Sequence, residues 1–322
     1  MVCFFVKRKT KAPQCGAFLL YKTLTMSRIE TNIKTEATAV SEVSTKLRVA
    51  IQGVPGAFHD IAARQFFGAD RVEIVPAHTF RQLVEQVESR AADTGLMAIE
   101  NTIAGSIIGN YRLLTASKLR AVGEVYLRIR QNLMALPDQR IEDLREVHSH
   151  PIAIAQCDEF FAQHPHIRLV EMEDTALSAQ RIAEQQTTGV GAIASHLAAS
   201  MYGLDLLAES IETNKQNFTR FLVLERMASV KWAVGADKVS LFFSLSHEVG
   251  SLHKVLAALA AHGANLTKIQ SVPIEGRPWE YFFFVDFLTD EGYGWQAAVE
   301  AVRPSTHSLE VLGAYLQGKF FE

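Results

Sequence analysis

The chain has 322 residues, of which 48% are hydrophobic and 21% are charged, and its formal net charge at pH 7 is −3. This length suggests about two domains with ordinary cores, and it contains no apolar run near the ~20 residues of a membrane span. The pI of about 6.4 gives no electrostatic reason to expect a nucleic acid partner.

The cysteines indicate a reducing compartment. Cys3, Cys15 and Cys157 form neither a CxxC pair nor a set with metal-ligand spacing. Unpaired thiols of this kind are typical of proteins that are not stabilised by disulfides. We therefore predict a soluble, cytoplasmic protein that binds neither nucleic acid nor membrane.

Residues 1–45 differ from the rest of the chain, because their basic residues cluster near the start and no helical or strand period persists. A secretory signal needs a longer apolar stretch than residues 17–21, and an organellar presequence is usually richer in Arg. Met26 offers an alternative translation start. We expect a disordered extension, or one that is not part of the natural protein, in preference to a targeting segment.

From residue 46 the sequence alternates between strand and helix patterns. In chain order, the predicted elements are a strand at 46–51, a helix at 60–67, a strand at 72–75, a helix at 79–89 and a strand at 94–99. Strands that alternate with helices usually pair in parallel, and ligands bind beyond their carboxyl ends. Glu100 and Asn101 follow the third strand, so they are candidate site residues.

A second α/β unit is predicted from about residue 121 to residue 207. Its predicted strands are residues 123–126, 132–136, 168–171 and 191–194, and its predicted helices are residues 152–163 and 176–184. Ser195 is a plausible helix N-cap. The chain then returns towards the first unit through residues 217–224, and two units joined by more than one crossing leave a cleft between them.

The C-terminal segment is predicted to form a separate domain. Its pattern is strand, helix, strand, strand, helix and strand, at residues 239–245, 251–262, 265–272, 279–288, 295–302 and 309–316. This is a ferredoxin-like order. The boundary with the preceding region falls near residues 229–237.

Four polar clusters border apolar runs: three end such a run just before a helical pattern, and the fourth opens one. They are Glu100-Asn101-Thr102, Ser149-His150-Pro151, Asp174-Thr175-Ala176 and Asn217-Phe218-Thr219-Arg220-Phe221. In order and spacing, and together with Gln156, they resemble the motif set of the prephenate dehydratases. The resemblance implies an α/β fold with a bilobal, periplasmic-binding-protein-like catalytic region over residues 46–228. It also implies a ferredoxin-like βαββαβ ACT regulatory domain over residues 237–318.

The resemblance implies that prephenate is the substrate and that it loses carbon dioxide and hydroxide to give phenylpyruvate. This chemistry needs no redox step or electrophilic sink, so we expect no cofactor and no metal. The implied catalytic residues are Thr219, Arg220, Glu100 and Asn101. Arg220 would grip a substrate carboxylate, and Thr219 would donate a hydrogen bond or relay a proton to the departing hydroxyl. Glu100 could act on the substrate or cap a helix, and both alternatives stay open.

The implied substrate-binding residues are Thr102, Ser149, His150, Gln156, Thr175, Asn217 and Phe221. Pro151 is expected to begin the helix that carries Gln156. His148 and His150 have no Cys or carboxylate partner at ligand spacing, which argues against a metal site. We give no catalytic role to His59, which stands where the family more often has a small hydroxyl residue.

In the C-terminal domain the resemblance implies an inhibitory phenylalanine site at Gly250, Ser251, Leu252, Gln270, Ser271 and Pro273. The segment Gln270-Ser271-Val272-Pro273 replaces the usual Glu-Ser-Arg-Pro. We therefore expect phenylalanine to be the effector, as the resemblance implies, but we expect its feedback inhibition to be weakened or altered by this replacement. A single ACT sheet leaves exposed edges, which favours a homodimer or homotetramer.

Two alternatives remain from the sequence. Arogenate dehydratase acts on the amino analogue of prephenate, and the sequence does not separate the two activities. A non-catalytic sensor would also have two lobes and a cleft, and it would bind phenylalanine or prephenate without turnover.

Overall fold

The computed structural model describes residues 46–289 and 294–322. The predicted extension, residues 1–45, lies outside the described residues. The described part of the chain contains a first lobe, a second lobe and a C-terminal domain. The predicted α/β fold with two lobes and a ferredoxin-like domain is confirmed.

The first lobe is built on a mixed sheet of parallel and antiparallel strands. Its elements are β1 (Leu47–Gln52), α1 (Phe58–Phe67), β2 (Val72–Ala77), α2 (Phe80–Glu88), β3 (Thr94–Asn101), β4 (Gly105–Ser106), α3 (Ile108–Ala116) and β5 (Leu119–Arg128). Strands β2 and β3 flank β1 in parallel. Thr79 caps α2 by accepting a hydrogen bond from the Gln82 N–H at 3.1 Å.

The second lobe has its own five-stranded sheet in the order β10-β6-β9-β7-β8. Its elements are β6 (Asn132–Ala135), β7 (Glu146–Ser149), α4 (Pro151–Ala155), α5 (Asp158–Ala162), β8 (Arg168–Glu171), α6 (Thr175–Gln185), β9 (Val190–Ala194), α7 (His196–Tyr202) and β10 (Asp205–Ala208). The chain then re-enters the first sheet as β11 (Phe218–Arg226), which lies antiparallel between β3 and β5.

Two predictions for the second lobe were wrong. The strand predicted at residues 123–126 is part of β5 and belongs to the first sheet, where it pairs with β11. The single helix predicted at residues 152–163 is two helices. The break falls at Gln156, whose carbonyl accepts a hydrogen bond from the Thr213 N–H at 2.8 Å. That carbonyl therefore bonds to a neighbouring segment, and the helix ends there.

The C-terminal domain has the predicted βαββαβ order, followed by a short final strand. Its elements are β12 (Lys238–Ser244), α8 (Ser251–Ala261), β13 (Asn265–Pro273), β14 (Tyr281–Leu288), α9 (Trp295–Val302), β15 (Ser308–Tyr315) and β16 (Phe320–Phe321). Helices α8 and α9 pack on one face of this sheet around Phe243, Val255 and Val299.

The other face of the C-terminal sheet packs on the first lobe. Phe242 and Phe284 belong to the same buried cluster as Met97 and Leu222 of the first lobe. The two sheets are also joined at one edge, where β15 pairs in parallel with β5 through Gly313 and Ala121. The first lobe and the C-terminal domain therefore share a hydrophobic core.

A β-bulge lies where β3 meets β11. The register pairs Thr219 with Asn101 and Arg220 with Glu100, but the next pair is Phe221 with Ala98, so Ile99 is an additional residue in β3. An additional residue changes which side chains share a face of the sheet. The bulge sits next to the polar ends of both strands.

Candidate active site

A cavity of about 320 Å³ lies between the two lobes. Six of the residues predicted to be catalytic or substrate-binding line it: Asn101, His150, Gln156, Thr175, Thr219 and Phe221. Other lining residues include Gln52, His59, Phe80, Gln131, Glu173 and Asp174. The lining is mostly apolar with a few polar groups from both lobes, as is typical of small-molecule sites.

Thr219 and Asn101 form the polar centre of the first-lobe wall. They lie directly opposite each other on β11 and β3. Asn101 Nδ2 donates to Thr219 Oγ1 at 3.0 Å, while Asn101 Oδ1 accepts from the N–H groups of Ile103 and Ala104 at 2.9 and 2.8 Å. These partners fix the orientation of the amide. Because Thr219 Oγ1 accepts from an amide, its own hydrogen can be donated into the cavity.

A chain of amide side chains extends from this centre to the second lobe. Asn101 Nδ2 donates to Asn217 Oδ1 at 2.8 Å, and Asn217 Nδ2 donates to Gln156 Oε1 at 2.9 Å. Gln131 Nε2 also donates to Gln156 Oε1, at 3.2 Å. Asn217 is fully buried and does not line the cavity. It instead links the first-lobe wall to the second lobe.

Two helix N-termini form the second-lobe wall. His150 caps α4, with its Nδ1 accepting from the Ile152 N–H at 3.2 Å, and Asp174 caps α6 by accepting from the Leu177 N–H at 2.8 Å. Burial raises the pKa of Asp174, although the N–H groups of the helix oppose the shift. Thr175 is the first residue of α6 and also lines the cavity.

His59 lies in the cavity wall, although we predicted no catalytic role for it. Its ring packs against Phe221 and Phe80, with centroids 4.9 and 5.6 Å away. Its Nε2 accepts a long hydrogen bond, 3.4 Å, from the Ala98 N–H. Burial lowers the pKa of His59 to about 3, so the ring is neutral at physiological pH. The signal in the sequence was the departure at this position from the small hydroxyl residue that is more usual in the family.

Arg220 does not lie in the cavity, which contradicts its predicted role as a carboxylate grip. Side chains alternate along a strand, so Arg220 points away from the face that carries Thr219. Its guanidinium donates to Glu124 Oε2 at 2.6 Å, to Asp286, and to the Tyr315 hydroxyl at 3.0 Å. It is only 4% exposed. No Lys or Arg is among the described residues that line the cavity.

Glu100 also lies outside the cavity, contrary to its predicted action on the substrate. The bulge at Ile99 places Glu100 on the face turned towards the C-terminal domain, where it accepts from Lys268 Nζ at 2.6 Å. In the described hydrogen bonds, Glu100 does not cap a helix, so its alternative predicted role is not observed either.

Two further predicted ligands have structural partners and do not line the cavity. Ser149 is fully buried and donates to the Ile193 carbonyl at 2.7 Å. Thr102 donates to the Gln216 carbonyl at 2.8 Å and accepts from the Phe218 N–H at 2.9 Å. Both hydroxyls hold neighbouring segments together, next to the site.

A second cavity, of about 360 Å³, lies in the C-terminal domain. Ser251 and Leu252 line it, together with Trp279, Glu280 and Tyr281. Gly250 precedes α8 at a positive φ of 82° and is the N-cap of that helix. The other three residues predicted for an effector site, Gln270, Ser271 and Pro273, lie on β13 outside this lining.

Within residues 46–289 and 294–322, no three His, Cys, Asp or Glu side chains are grouped closely enough to hold a metal ion. In the same part of the chain, the helices are all too short or too polar to cross a membrane.

Comparison with known families gives two matches. The family model "Prephenate dehydratase" matches residues 49–229, and the family model "ACT domain" matches residues 239–293. The first match covers both lobes, and the second begins within β12.

Two curated proteins show the extent of the similarity. The bifunctional chorismate mutase/prephenate dehydratase of Aquifex aeolicus is 36% identical over 275 residues, which is 84% of this chain and 74% of that protein. Arogenate dehydratase 2 of Petunia hybrida is 39% identical over 287 residues, which is 84% of this chain and 72% of that protein.

Two solved structures are similar over most of the chain. A prephenate dehydratase from Arthrobacter aurescens in complex with L-Phe has a TM-score of 0.75 and 28% identity, covering 84% of this chain and 90% of that one. GqqA, described as a novel type of quorum quenching acylase, has a TM-score of 0.75 and 29% identity, covering 84% of this chain and 98% of that one.

Proposed function

This chain belongs to the prephenate dehydratase family, and on that basis we propose that its inter-lobe cavity converts prephenate into phenylpyruvate, carbon dioxide and water. The observation that carries the proposal is the Thr219 hydroxyl, which lines the cavity and accepts its hydrogen bond from the Asn101 amide. A hydroxyl oriented in this way has its hydrogen available for a departing group.

The proposed reaction breaks two bonds of the substrate ring. The electron pair of the ring C–carboxylate bond moves into the ring as carbon dioxide leaves, and the ring C–O bond breaks as hydroxide leaves. One proton converts the hydroxide to water, so the prephenate dianion and a proton give the phenylpyruvate anion, carbon dioxide and water. Thr219 donates a hydrogen bond to the departing oxygen, which lowers the barrier to C–O cleavage.

The substrate's negative charges need partners other than Lys or Arg in this cavity. The N-terminus of α6, where Thr175 lies, lines the cavity and brings the positive end of the helix dipole to it. Asp174, whose pKa is raised by burial, caps the same N-terminus by accepting a hydrogen bond from the Leu177 N–H at 2.8 Å. The rings of His59 and Phe221 supply an apolar surface for the substrate ring.

The test is to measure phenylpyruvate release from prephenate by the purified chain, without added metal or cofactor. We expect turnover by the wild type. Failure of the wild type to release phenylpyruvate, in a preparation shown to be folded, would rule out this proposal.

Arogenate is the second candidate substrate, because the Petunia relative is named for it. Arogenate carries an ammonium group where prephenate has a keto oxygen. Glu173 and Asp174 both line the cavity and could accept hydrogen bonds from such a group. Comparing kcat/KM for the two substrates in one preparation decides between them.

An acylase activity is less well supported by the site. A nucleophilic hydroxyl normally needs an adjacent general base. Among the described residues, the hydrogen-bond partner of Thr219 Oγ1 is the amide of Asn101, which is not a base.

The phenylpyruvate release assay also separates an enzyme from a non-catalytic sensor, since a sensor would bind prephenate without releasing product.

We also propose that the second cavity binds phenylalanine as an inhibitor. Supporting observations are the ACT match, the L-Phe complex of the Arthrobacter relative, and a cavity at Ser251 and Leu252. Gln270 lies outside the lining, so its replacement of the usual Glu need not abolish binding. Titrating phenylalanine into the turnover assay tests inhibition, and calorimetry tests binding.

The proposed assembly is a homodimer or homotetramer. Among the described residues, strand β13 ends the large sheet and pairs with β14 alone, so its other edge has no strand partner within residues 46–289 and 294–322. Such an edge favours pairing with a second copy. Light scattering at several concentrations tests this.

A further inference from the structure

Four charged residues meet where the ACT domain packs on the back of the catalytic sheet. On the catalytic side, Glu100 of β3 lies directly opposite Arg220 of β11. On the ACT side, Lys268 of β13 lies directly opposite Asp286 of β14. Lys268 Nζ donates to Glu100 Oε1 at 2.6 Å, and Arg220 donates to Asp286. We call these four residues the charge clasp.

The clasp is largely shielded from water. Arg220 and Asp286 are 4% and 5% exposed, and the Lys268 side chain is 9% exposed. The Glu100 side chain is the most accessible member at 35%. A buried ion that loses its partner is strongly destabilised, because it can regain neither the partner nor water. The two strands on each side are therefore held in one relative position.

Other buried groups complete the charge balance. Glu124 accepts from both Arg220 and Lys238, and Lys238 is 2% exposed. Burial alone would raise the pKa of Asp286, but Arg220 and the Ser240 hydroxyl outweigh burial and keep the pKa below its usual value. Asp286 is thus held as a carboxylate. Three anions and three cations, including those of the clasp, neutralise one another.

The clasp is one residue away from the catalytic pair on both strands. Asn101 follows Glu100, Thr219 precedes Arg220, and Asn101 and Thr219 lie opposite each other. A shift of Glu100 relative to Arg220 must therefore shift the Asn101 amide relative to the Thr219 hydroxyl. The hydrogen bond of 3.0 Å between them depends on that alignment.

We propose that the ACT domain positions the catalytic pair Asn101 and Thr219 through the charge clasp, so that Glu100, Arg220, Lys268 and Asp286 are positioning residues that do not contact the substrate. The proposal rests on the proposed function of the inter-lobe cavity.

Strand β14 connects the clasp to the second cavity. Tyr281 and Phe283 line that cavity, and Asp286 lies farther along the same strand. A ligand that moves β14 acts on Asp286 and, through Arg220, on Thr219. The clasp thus offers a physical route by which an effector alters turnover.

A charge exchange at the Glu100–Lys268 pair, which is the more accessible of the two pairs in the clasp, tests the proposal. The variants are Glu100→Lys, Lys268→Glu and the double variant, which restores the ion pair in reverse. The matched control is Glu310→Gln, which breaks the Arg120–Glu310 pair of 2.6 Å between the same two domains. Each variant is assayed for kcat and KM with prephenate. Hydrogen exchange by mass spectrometry is measured for peptides covering residues 98–104 and 217–224.

Each single variant is expected to lower kcat about tenfold or more with little change in KM. The reason is that misalignment of Asn101 and Thr219 affects mainly the transition state. Exchange in both peptides should be faster. The double variant should recover most of kcat and the slow exchange, and Glu310→Gln should match the wild type.

Three outcomes would overturn the proposal that the clasp positions Asn101 and Thr219. One is a rise in KM with unchanged kcat, which would mean that Glu100 touches the substrate. Another is a double variant that recovers nothing, and the third is unchanged exchange in the single variants. The exchange measurement does not require turnover. An inactive wild type would therefore defeat the proposed function, while the exchange data would still decide the clasp.

Discussion

Thr219 and Arg220 are neighbours in the chain, but their side chains have different surroundings. The hydroxyl lines the inter-lobe cavity, and the guanidinium is enclosed by Glu124, Asp286 and Tyr315. One short motif therefore combines a cavity-lining residue with a residue that faces another domain.

Replacing Thr219 with Ala removes the hydroxyl but leaves the strand intact. We expect kcat for prephenate to fall about 100-fold or more, the lower range for loss of a positioned proton donor, with a small change in KM. Thr219→Ser keeps the hydroxyl and is the matched control, which should retain most of kcat. Equal kcat values for Thr219→Ala and the wild type would exclude the assigned role.

His59 should make the protein sensitive to acid. Its pKa is about 3 in the folded protein and near 6.5 ordinarily, so between these values the unfolded chain binds the proton more strongly. Stability is therefore complete above about pH 6.5 and is lost as the pH falls towards 3. From pH 7 to pH 5, Tm of the wild type should fall a few degrees more than that of His59→Gln, which does not titrate.

Differential scanning fluorimetry at both pH values measures this difference. The comparison uses the slope of Tm with pH, so a general loss of stability in His59→Gln does not affect it. Parallel slopes for the two proteins would mean that His59 does not remain neutral in the fold.

At the scale of elements, the bulge in β3 explains which site residues the sequence could predict. The motifs at the strand ends correctly located Asn101 and Thr219 near the cavity, because strand ends can be identified from apolar runs. They misplaced Glu100, since the additional residue Ile99 changes the face on which it lies. Arg220 was misplaced because its partner Asp286 lies 66 residues away in another domain. Strand register and long-range partners are not visible in a local pattern.

The turn after β1, at residues 53–56, depends on contacts with a distant part of the chain, the second lobe. Gly53 has a positive φ of 102°, and a Cβ at this position would lie 2.8 Å from Asp174 Oδ2. Nearby, the Ser195 hydroxyl donates to the Gly56 carbonyl at 2.5 Å. The turn thus contacts the second lobe directly beside the cavity.

Gly53→Ala should therefore move Asp174 as well as strain the backbone. We expect a loss of about 1–3 kcal/mol in stability, together with a higher KM for prephenate. Gly235→Ala is the control, because Gly235 also has a positive φ, 74°, but has nothing within 4 Å of an added Cβ. Denaturant unfolding and steady-state kinetics measure both effects. A KM that changes equally in both variants would show that strain alone is responsible.

At the scale of the whole molecule, the two family domains are not independent. The back of the catalytic sheet and one face of the ACT sheet form a single hydrophobic cluster, which contains Leu222, Phe242 and Phe284. The sequence predicted the two domains and their internal order, because periodicity and motifs report local structure. It did not predict the shared core, since the same apolar pattern would result if each sheet were covered by helices.

The described domains should consequently unfold together. We expect one calorimetric transition for residues 46–322, because separating the domains would expose the shared core and would take Asp286 from Arg220 and Lys238 from Glu124. Phenylalanine, if bound, should raise the midpoint of that single transition. Two separable transitions, only one of them shifted by phenylalanine, would contradict this expectation.

The charge clasp also limits how regulatory domains can be exchanged between relatives. A chimera that joins this catalytic region to a foreign ACT domain would retain Glu100 and Arg220 on its own side of the junction. The donor domain must then present a cation and an anion where Lys268 and Asp286 lie. A donor without them would bury two unmatched charges, so compatibility between donor and recipient is decided by residues outside both cavities.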